Sequence, residues 1–420
     1  MEVADIHEVD SGDPWNSYRR VASLSAPERP PARLKSVRVL ISAGEASGDL
    51  YASRVVAALK ARHPDAEFFG CAGPRMQAAG VRAIVDSRAL AVVGLIEVVS
   101  HIPRIYGEFR KLVRAISKER PDVAVLTDSP DFHLRLAKKL RRQRVPVIYL
   151  IAPQAWAWRQ SRVRTMRRTI DRLLCIFPFE EAFFRHHGVP TTFIGHPLAR
   201  IVKPSLTRAE FCEKFGLSTD DRIVVLLPGS RHGEVTRHMP YLFDAAARVQ
   251  ARHNVRFILA LPLGFGAEKT TFWERTRAAP IQVIEGFTWD CLAQAEVALA
   301  ASGTVTIEAA LLRTPMVTFY RVNALSWILG RWMVRAPFLS MVNLVAGRPV
   351  APELIQGEMT GAGIAAGALR LLDDEKTRSA MRADLGEVAG KLASDHDPME
   401  SAANWVEQVG REGVRREGVQ

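Results

Sequence analysis

The chain has 420 residues, of which 48% are hydrophobic and 24% are charged, as in an ordinary soluble globular protein. At about 150 residues per domain, this length predicts two or three domains and excludes a disordered chain, a collagen-like repeat and a coiled coil. The cysteines are far apart and form no C-x-x-C pair, which argues against a disulfide framework or structural zinc and favours a reducing cytoplasm. No run approaches the roughly 18 to 20 apolar residues of a membrane-spanning helix.

The net charge of +12 is concentrated in one region. Residues 104–172 contain 18 Lys or Arg against 6 Asp or Glu, so the remainder of the chain is neutral on balance. A concentrated basic region predicts an anionic partner, which could be nucleic acid, anionic lipid or a phosphorylated substrate. For any single Lys or Arg, the ordinary alternative is a solvated helix face.

The distribution of apolar runs predicts the domain organisation. Residues 1–36 have mixed charge, Ser and Pro without an apolar h-region, so we expect a poorly ordered leader that is not a signal peptide. Apolar runs typical of buried parallel strands then alternate with amphipathic stretches such as Leu50–Arg62 and Tyr106–Glu119. In the first half the strands are predicted at Val37–Ile41, Val123–Thr127, Val147–Ile151 and Leu173–Ile176.

After a polar junction at residues 200–222 the same pattern begins again. Strands are predicted there at Ile223–Leu227, Val255–Leu261, Val297–Ala300 and Met316–Tyr320. Two rounds of strand–helix alternation predict an α/β protein, with two open parallel-sheet domains that face a central cleft. We expect one domain at 37–200, a second at 201–375, and C-terminal helices at 376–420 that pack back on the first domain.

Polar residues follow the predicted strands of the first half, where ligands bind in such sheets. The motif GEASGD at 44–49 follows the first strand, and Asp128-Ser129-Pro130-Asp131 follows the second. A carboxylate here could take a proton from a substrate hydroxyl, the pair could hold a metal, or one could cap the next helix. Asp131 is the better candidate base, because it is nearer the start of the following helix. No metal-ligand spacing with His is present, so we do not expect a metal site. We also expect no cofactor.

Two glycine turns of the second half are candidate phosphate sites. Ala301-Ser302-Gly303-Thr304 leads into a helix, where free N–H groups suit a diphosphate, although a helix cap without a ligand has the same pattern. Glu308 lies one helical turn further on and could accept hydrogen bonds from ribose hydroxyls, or be a solvated side chain. In Pro228-Gly229-Ser230-Arg231, glycine permits close approach and Arg231 matches phosphate oxygens. Neither turn is a P-loop.

Two hydrophobic segments have two interpretations each. The segment 90–100, LAVVGLIEVVS, is either core or an interfacial segment that contacts lipid. Residues 324–341 interleave aromatic residues with Arg, which suits an interface with lipid headgroups or a second subunit. The Arg-rich stretch after Trp158 would also suit nucleic acid, although nothing else matches a nucleic-acid module.

An ordered set of motifs carries a resemblance to a known family. The set continues GEASGD with GCAGPRM at 70–76, DSPDF at 128–132, PQAWAWR at 153–159, PFE at 178–180, FIGHP at 193–197, LLPGSR at 226–231, ASGTVTIEAA at 301–310 and PMVTFYR at 315–321. The sequence resembles the lipid-A-disaccharide synthases, membrane-surface glycosyltransferases of Gram-negative bacteria (glycosyltransferase family 19). Each motif alone is weakly specific, whereas their order is highly specific.

The resemblance implies a GT-B fold of two Rossmann-like domains and a metal-independent reaction. It implies inverting transfer of 2,3-diacylglucosamine from UDP-2,3-diacylglucosamine to 2,3-diacylglucosamine 1-phosphate, which gives a β-1,6 disaccharide 1-phosphate and UDP in lipid A biosynthesis. The enzyme would be peripheral on the cytoplasmic face of the inner membrane, with an anionic membrane surface as partner, no nucleic acid, and a homodimer with exchanged C-terminal segments.

The resemblance also implies a role for each candidate residue. Asp131 would be the base, and Glu45 and Asp128 would orient the acceptor. The UDP-binding set would be Gly229, Ser230, Arg231, Phe287, Ser302, Gly303, Thr304 and Glu308, with Phe287 acting through its backbone. The acceptor or membrane contacts would be Val93, Leu95, Ile96, Val98 and Arg159.

Two other functions remain open from the sequence. One keeps the fold and changes the reaction to a UDP-sugar epimerase or a transferase with a polyprenyl acceptor, because fold does not decide substrate. The other is a non-enzymatic RNA-binding protein or membrane scaffold, against which the two glycine turns and Glu308 argue.

Overall fold

The computed structural model describes residues 37–90, 95–322, 327 and 336–417, and of residues 95–102, 269 and 413–417 it describes the backbone alone. The chain forms two compact units, one comprising Met1–Pro197 and Ser394–Gln420 and the other Leu198–Ala393. Each unit is an α/β layer structure in which helices cover a parallel sheet. The first unit is thus made of two separate stretches of chain.

The sheet of the first unit has seven parallel strands among the described residues. They are β1 (Arg38–Ala43), β2 (Glu67–Ala72), β3 (Arg82–Asp86), β4 (Val123–Thr127), β5 (Val147–Leu150), β6 (Arg172–Cys175) and β7 (Thr191–Phe193). Their order across the sheet is β3-β2-β1-β4-β5-β6-β7. The helices are α1 (Ala46–Arg62), α2 (Pro74–Ala78), α3 (Leu95–Glu119), α4 (Pro130–Arg142), α5 (Ser161–Thr169) and α6 (Pro178–His186).

The second unit repeats this design with six described strands. They are β8 (Ile223–Leu227), β9 (Arg256–Leu261), β10 (Ile281–Glu285), β11 (Val297–Ala301), β12 (Met316–Tyr320) and β13 (Glu353–Ile355), in the order β10-β9-β8-β11-β12-β13. The helices are α7 (Leu198–Ile201), α8 (Arg208–Phe215), α9 (His232–Gln250), α10 (Trp273–Ala278), α11 (Thr288–Gln294), α12 (Val305–Leu311), α13 (Met341–Ala346), α14 (Gly361–Asp373) and α15 (Glu375–Leu392), and a last helix, α16 (Pro398–Glu417), returns to the first unit.

The eight strands predicted from apolar runs are all present, and five further strands are not in that set. The inner strands β4 and β8 are buried at every residue, because helices cover both faces of the sheet. Of the five others, β3 lies at a sheet edge and is largely exposed. Strand β2 contains Gly70, where a Cβ would lie 1.9 Å from the backbone oxygen of Ile41 on β1. Only glycine fits this close approach.

Both sheets have a topological switch point, where the strand order reverses direction. In the first sheet it lies between β1 and β4, and in the second between β8 and β11. Ligands of open parallel sheets bind at the carboxyl ends of the strands on either side of such a point. Four of the motifs that follow strands therefore lie at the two positions where a ligand is expected.

The C-terminal helices divide between the units differently from the expected boundary at 376. Helix α15 packs against α12, α13 and α14 of the second unit, through buried residues such as Leu385. Helix α16 packs against α1, β4 and β5, and adds Trp405 and Val406 to the core of the first unit. Helix α15 therefore belongs to the second unit and only α16 to the first, because the chain leaves the second unit after Ala393 rather than before α15.

Some expectations lie outside the described residues. These are the leader at 1–36, Val93, and most of the aromatic and Arg-rich segment 324–341. Leu95, Ile96 and Val98 lie in the first turn of α3, of which only the backbone is described at these positions. No helix among the described residues is long and apolar enough to cross a membrane.

We predict that Trp405→Ala destabilises the first unit and Leu385→Ala the second. Both side chains are buried, and such truncations cost about 3–5 kcal/mol for Trp and 2–5 kcal/mol for Leu. Hydrogen exchange with mass spectrometry should show faster exchange in β1 and β4 for Trp405→Ala, and in β11 and β12 for Leu385→Ala. If Trp405→Ala accelerated hydrogen exchange in β11 and not in β1 or β4, the placement of α16 in the first unit would be wrong.

Candidate functional site

At the switch point of the first unit, one carboxylate connects the loops that follow the two adjacent strands. Asp128, directly after β4, accepts hydrogen bonds from the N–H groups of Gly44 (2.8 Å) and Glu45 (3.1 Å), directly after β1. A Cβ on Gly48 would lie 1.8 Å from Oδ2 of Asp128, and one on Gly44 would lie 2.3 Å from Oγ of Ser129. The glycines of GEASGD therefore allow the start of α1 to approach the carboxylate.

The backbone at Asp128 is held in an unusual conformation. Asp128 and Ser129 have φ of 53° and 35°, in the left-handed region that costs about 1–3 kcal/mol per non-glycine residue. The carbonyl oxygen of Asp128 accepts hydrogen bonds from the hydroxyl of Tyr149 (2.5 Å) and from Nδ1 of His133 (3.0 Å). Two buried donors thus stabilise the turn that presents the carboxylate.

The partners of His133 define its tautomer. A carbonyl oxygen only accepts, so Nδ1 carries the proton toward Asp128 and Nε2 accepts from the hydroxyl of Ser42, 2.8 Å away. Burial lowers the pKa of His133 to about 4, which agrees with a neutral ring. His133 and Tyr149 were missed from the sequence, since one lies on a helix and the other inside an apolar strand.

The two aspartates of the DSPD turn lie in different environments. The side chain of Asp128 is 12% exposed, and burial raises its pKa to about 7 against the opposing effect of the two N–H donors. The side chain of Asp131, in the first turn of α4, is 69% exposed. Its carboxylate pairs with Arg162 at 2.7 Å and with Arg159 at 3.2 Å. Asp131 is the accessible carboxylate and Asp128 the enclosed one.

Tyr149, near the carboxyl end of β5, is buried in the electrostatic field of four charged side chains. Burial raises the pKa of this phenol, and the charges of Asp128, Arg162, Glu45 and Asp131 act on it as well. Glu45 is exposed at the N-cap of α1. The structure therefore brings together the three predicted carboxylates, with Arg159 beside Asp131. From the sequence, Arg162 belonged only to the Arg-rich stretch after Trp158, and its position beside Asp131 was missed.

Two other predicted motifs of this unit contain carboxyl groups that serve the fold. Asp49 of GEASGD is buried and accepts from the N–H groups of Arg75 and Met76 at the start of α2. Glu180 of the PFE motif accepts a hydrogen bond from the indole of Trp156 at 3.0 Å, and burial raises its pKa to about 8. These carboxylates hold loops together at the sheet edge and face no open surface.

The switch point of the second unit carries the turn at Gly229. This glycine has φ of 125° and a Cβ there would lie 2.8 Å from Oε2 of Glu234. Ser230 is exposed, and Arg231 is the N-cap of α9 with a side chain 80% exposed. His238 of α9, which was not predicted, supports the turn because its Nδ1 lies 2.7 Å from the carbonyl oxygen of Pro228.

The turn after β11 differs from the prediction at one residue. The hydroxyl of Ser302 donates to the carbonyl oxygen of Leu339 (2.9 Å), and its N–H donates to that of Phe319 (2.8 Å). Ser302 therefore has no donor left for a phosphate, because both of its protons are used within the fold. The N–H groups of Gly303 and Thr304 have no protein acceptor among the described residues, and the side chain of Thr304 is exposed.

Glu308 and Phe287 are each engaged by neighbours. Burial raises the pKa of Glu308, and a hydrogen bond from Trp289 opposes this effect. The ring of Phe287 contacts Phe215 edge-on at 5.4 Å between centroids and lies 5.0 Å from Nζ of Lys214. Its side chain thus packs on α8, and only its backbone remains for a ligand. Among the described residues, no group of three His, Cys, Asp or Glu side chains could hold a metal ion.

Comparison with known proteins agrees with this architecture. Solved structures similar to the chain include a UDP-GlcNAc 2-epimerase from Neisseria meningitidis bound to UDP-GlcNAc, with a TM-score of 0.54 and 11% identity over 89% of this chain and 98% of the other. Another is the calicheamicin glycosyltransferase, with a TM-score of 0.54 and 14% identity over 90% and 98%. At these identities the similarity shows the fold, two parallel-sheet α/β units of the GT-B type.

Sequence similarity is far more specific. A lipid-A-disaccharide synthase of Solibacter usitatus is 59% identical over 89% of this chain and 97% of its own length, and one of Myxococcus xanthus is 42% identical over 88% and 97%. The sequence model described as lipid-A-disaccharide synthetase matches residues 39–402, which include every candidate site residue. The chain therefore belongs to the lipid-A-disaccharide synthetase family.

Proposed function

We propose that this chain is a UDP-sugar-dependent glycosyltransferase that forms the lipid A disaccharide. It transfers 2,3-diacylglucosamine from UDP-2,3-diacylglucosamine to 2,3-diacylglucosamine 1-phosphate with inversion, which gives the β-1,6 disaccharide 1-phosphate and UDP. Family membership supports this reaction, together with one structural observation: each switch point carries one half of the chemistry that the reaction needs. The first has an accessible carboxylate at Asp131. The second has the exposed guanidinium of Arg231 after β8 and, after β11, the N–H groups of Gly303 and Thr304, which have no acceptor among the described residues.

The first unit supplies the base in this proposal. The 6-hydroxyl of the acceptor attacks C1 of the donor sugar while its proton passes to the carboxylate of Asp131. A base must come within hydrogen-bond reach of the proton that it removes, and Asp131 is exposed where Asp128 is enclosed. Asp128 then fixes the turn that carries Asp131, and Glu45, exposed at the same edge, orients the acceptor.

The second unit binds the leaving group. The bond from C1 to the diphosphate oxygen breaks, and UDP departs with the electron pair. The guanidinium of Arg231 and the N–H groups of Gly303 and Thr304 stabilise this charge, with Gly229 and Ser230 shaping the turn. Glu308 accepts from the ribose hydroxyls, and the backbone at Phe287 contacts the uracil. The Neisseria epimerase was solved with UDP-GlcNAc, and a protein from Anabaena with a similar fold was solved with UDP. These two structures support the binding of a uridine nucleotide by this fold.

We further propose that the first unit docks on an anionic membrane surface at the cytoplasmic face of the inner membrane. In α3, Arg104, Arg110 and Arg114 are exposed, and so is Tyr106, at 59%. Exposed cations beside an exposed aromatic side chain are typical of contact with anionic headgroups. The hydrophobic positions Val93, Leu95, Ile96 and Val98 would enter lipid or hold acyl chains. A homodimer with exchanged C-terminal segments remains a proposal from the family resemblance.

The reaction itself is tested by product analysis. Purified protein with UDP-2,3-diacylglucosamine should give disaccharide 1-phosphate and UDP only when 2,3-diacylglucosamine 1-phosphate is added, as detected by mass spectrometry. An altered sugar on UDP without any acceptor would favour the epimerase. Product formed only with a polyprenyl phosphate would favour the other transferase.

We predict that Asp131→Asn lowers turnover about 100- to 10,000-fold, the usual contribution of a general base. UDP affinity should be unchanged, because the nucleotide binds the second unit. Asp65→Asn is the matched control, since Asp65 is an exposed carboxylate that precedes β2, at the amino end of the strands rather than the carboxyl end. A near wild-type rate of Asp131→Asn at saturating donor would show that another group is the base.

We predict that Arg231→Ala weakens UDP binding about 10- to 100-fold, as expected for a charge-assisted hydrogen bond to phosphate. Calorimetric titration with UDP measures the effect. Arg252→Ala, which removes an exposed cation just beyond the other end of α9, should leave the affinity unchanged. If wild type and Arg231→Ala bound UDP with equal affinity, the diphosphate would not bind at this turn.

A further inference from the structure

The side chains around Asp131 form a cluster with more positive charge than the proposed base requires. Arg159 and Arg162 both pair with its carboxylate, through one terminal nitrogen on each guanidinium. No other carboxylate among the described residues lies within ion-pair distance of either guanidinium. Two cations therefore share one anion, and the other N–H groups of the two guanidiniums have no protein acceptor among the described residues.

Both guanidiniums are held in position by one aromatic side chain. The central carbons of Arg159 and Arg162 lie 4.8 Å and 4.9 Å from the ring centroid of Trp158, within the range of cation–π contact. Arg162 follows as the second residue of α5, and its side chain is only 10% exposed. The cluster is thus ordered before a ligand binds, which lowers the entropic cost of binding.

The backbone adds a second sign of function at this place. Arg159 has φ of 54°, a left-handed conformation that is strained for a side chain of this size. The conformation brings the Arg159 side chain beside both Trp158 and Asp131. Strain of this kind persists where the surrounding contacts over-determine it, often at ligand-binding sites.

We propose that Arg159 and Arg162, ordered by Trp158, form the subsite that binds the phosphate monoester of the acceptor sugar. This inference rests on the proposed function and names the group by which that site selects its acceptor. A phosphate monoester carries about −1.5 to −2 charges at pH 7, and guanidinium forks match its oxygens. With the phosphate on one edge of the guanidiniums and Asp131 on the other, the hydroxyl of the same sugar is directed toward the base.

A bilayer phosphate is the other source of this chemistry, and the exposure of the cluster argues against it. A flat headgroup layer engages exposed cations, whereas Arg162 is nearly enclosed and already contacts the proposed base. Exposed cations that would suit headgroups lie on the same helix at Arg164 and Arg168. They also provide matched controls, because their removal changes the net charge by the same amount.

The test compares two water-soluble, short-acyl acceptors that differ only in the 1-phosphate. For Arg159→Gln and Arg162→Gln, we expect the ratio of kcat/KM between phosphorylated and unphosphorylated acceptor to fall about 10- to 100-fold. The ratio cancels effects on Asp131 that both acceptors share. Arg164→Gln and Arg168→Gln should keep the wild-type ratio. Because the Arg159 side chain is half exposed, Arg159→Gln tests the proposal even if Arg162→Gln does not fold.

Direct binding makes the outcome independent of turnover. Calorimetry without donor should show weaker binding of the phosphorylated acceptor to Arg159→Gln and unchanged binding to Arg164→Gln. The proposed subsite would be wrong if Arg159→Gln and Arg162→Gln changed neither the kcat/KM ratio nor the affinity for the phosphorylated acceptor. It would also be wrong if these two variants lost binding to phosphatidylglycerol vesicles while Arg164→Gln and Arg168→Gln kept it. Absence of disaccharide from wild type with either acceptor would instead refute the proposed function.

Discussion

The carboxylate of Asp128 joins the loops that follow the two central strands of the first unit. Asp128 directly follows β4, and its carboxylate accepts hydrogen bonds from N–H groups of the loop after β1. One side chain therefore connects the two sides of the switch point. The connection requires glycine at positions 44 and 48 and a left-handed backbone at Asp128 and Ser129. The strain is offset by Tyr149 and His133, whose buried donors are both directed at one carbonyl oxygen.

Burial separates the roles of two aspartates that lie three residues apart. Asp128 is enclosed, and this desolvation raises the pKa of its carboxyl group. Its hydrogen bonds from backbone N–H groups act in the opposite direction. Asp131 lies one turn into a helix, exposed and paired with two guanidiniums. The enclosed group positions the turn, and the exposed one is open to solvent.

In the second unit, the fold decides which polar groups remain for a ligand. Ser302, Gly303 and Thr304 are all small or polar residues at a strand end, and the sequence does not distinguish among them. The donors of Ser302 are satisfied by Leu339 and Phe319, which are distant along the chain, whereas the N–H groups of the next two residues meet no acceptor among the described residues. Neither residue is buried, so the N–H groups of Gly303 and Thr304 are the donors of this turn that stay accessible to a ligand.

The sequence by itself determined the inner strands, the α/β class and the positions of the motifs, because strands covered on both faces require apolar runs and ligand sites follow such strands. It also carried the family resemblance, which depends on the order of local motifs. Only the tertiary structure decided the edge strands, the division of α15 and α16 between the units, the use of Ser302 within the fold, and the pairing of Arg162 with Asp131. These features depend on contacts between residues far apart in the chain, which set burial and hydrogen bonding and are not encoded in any local pattern.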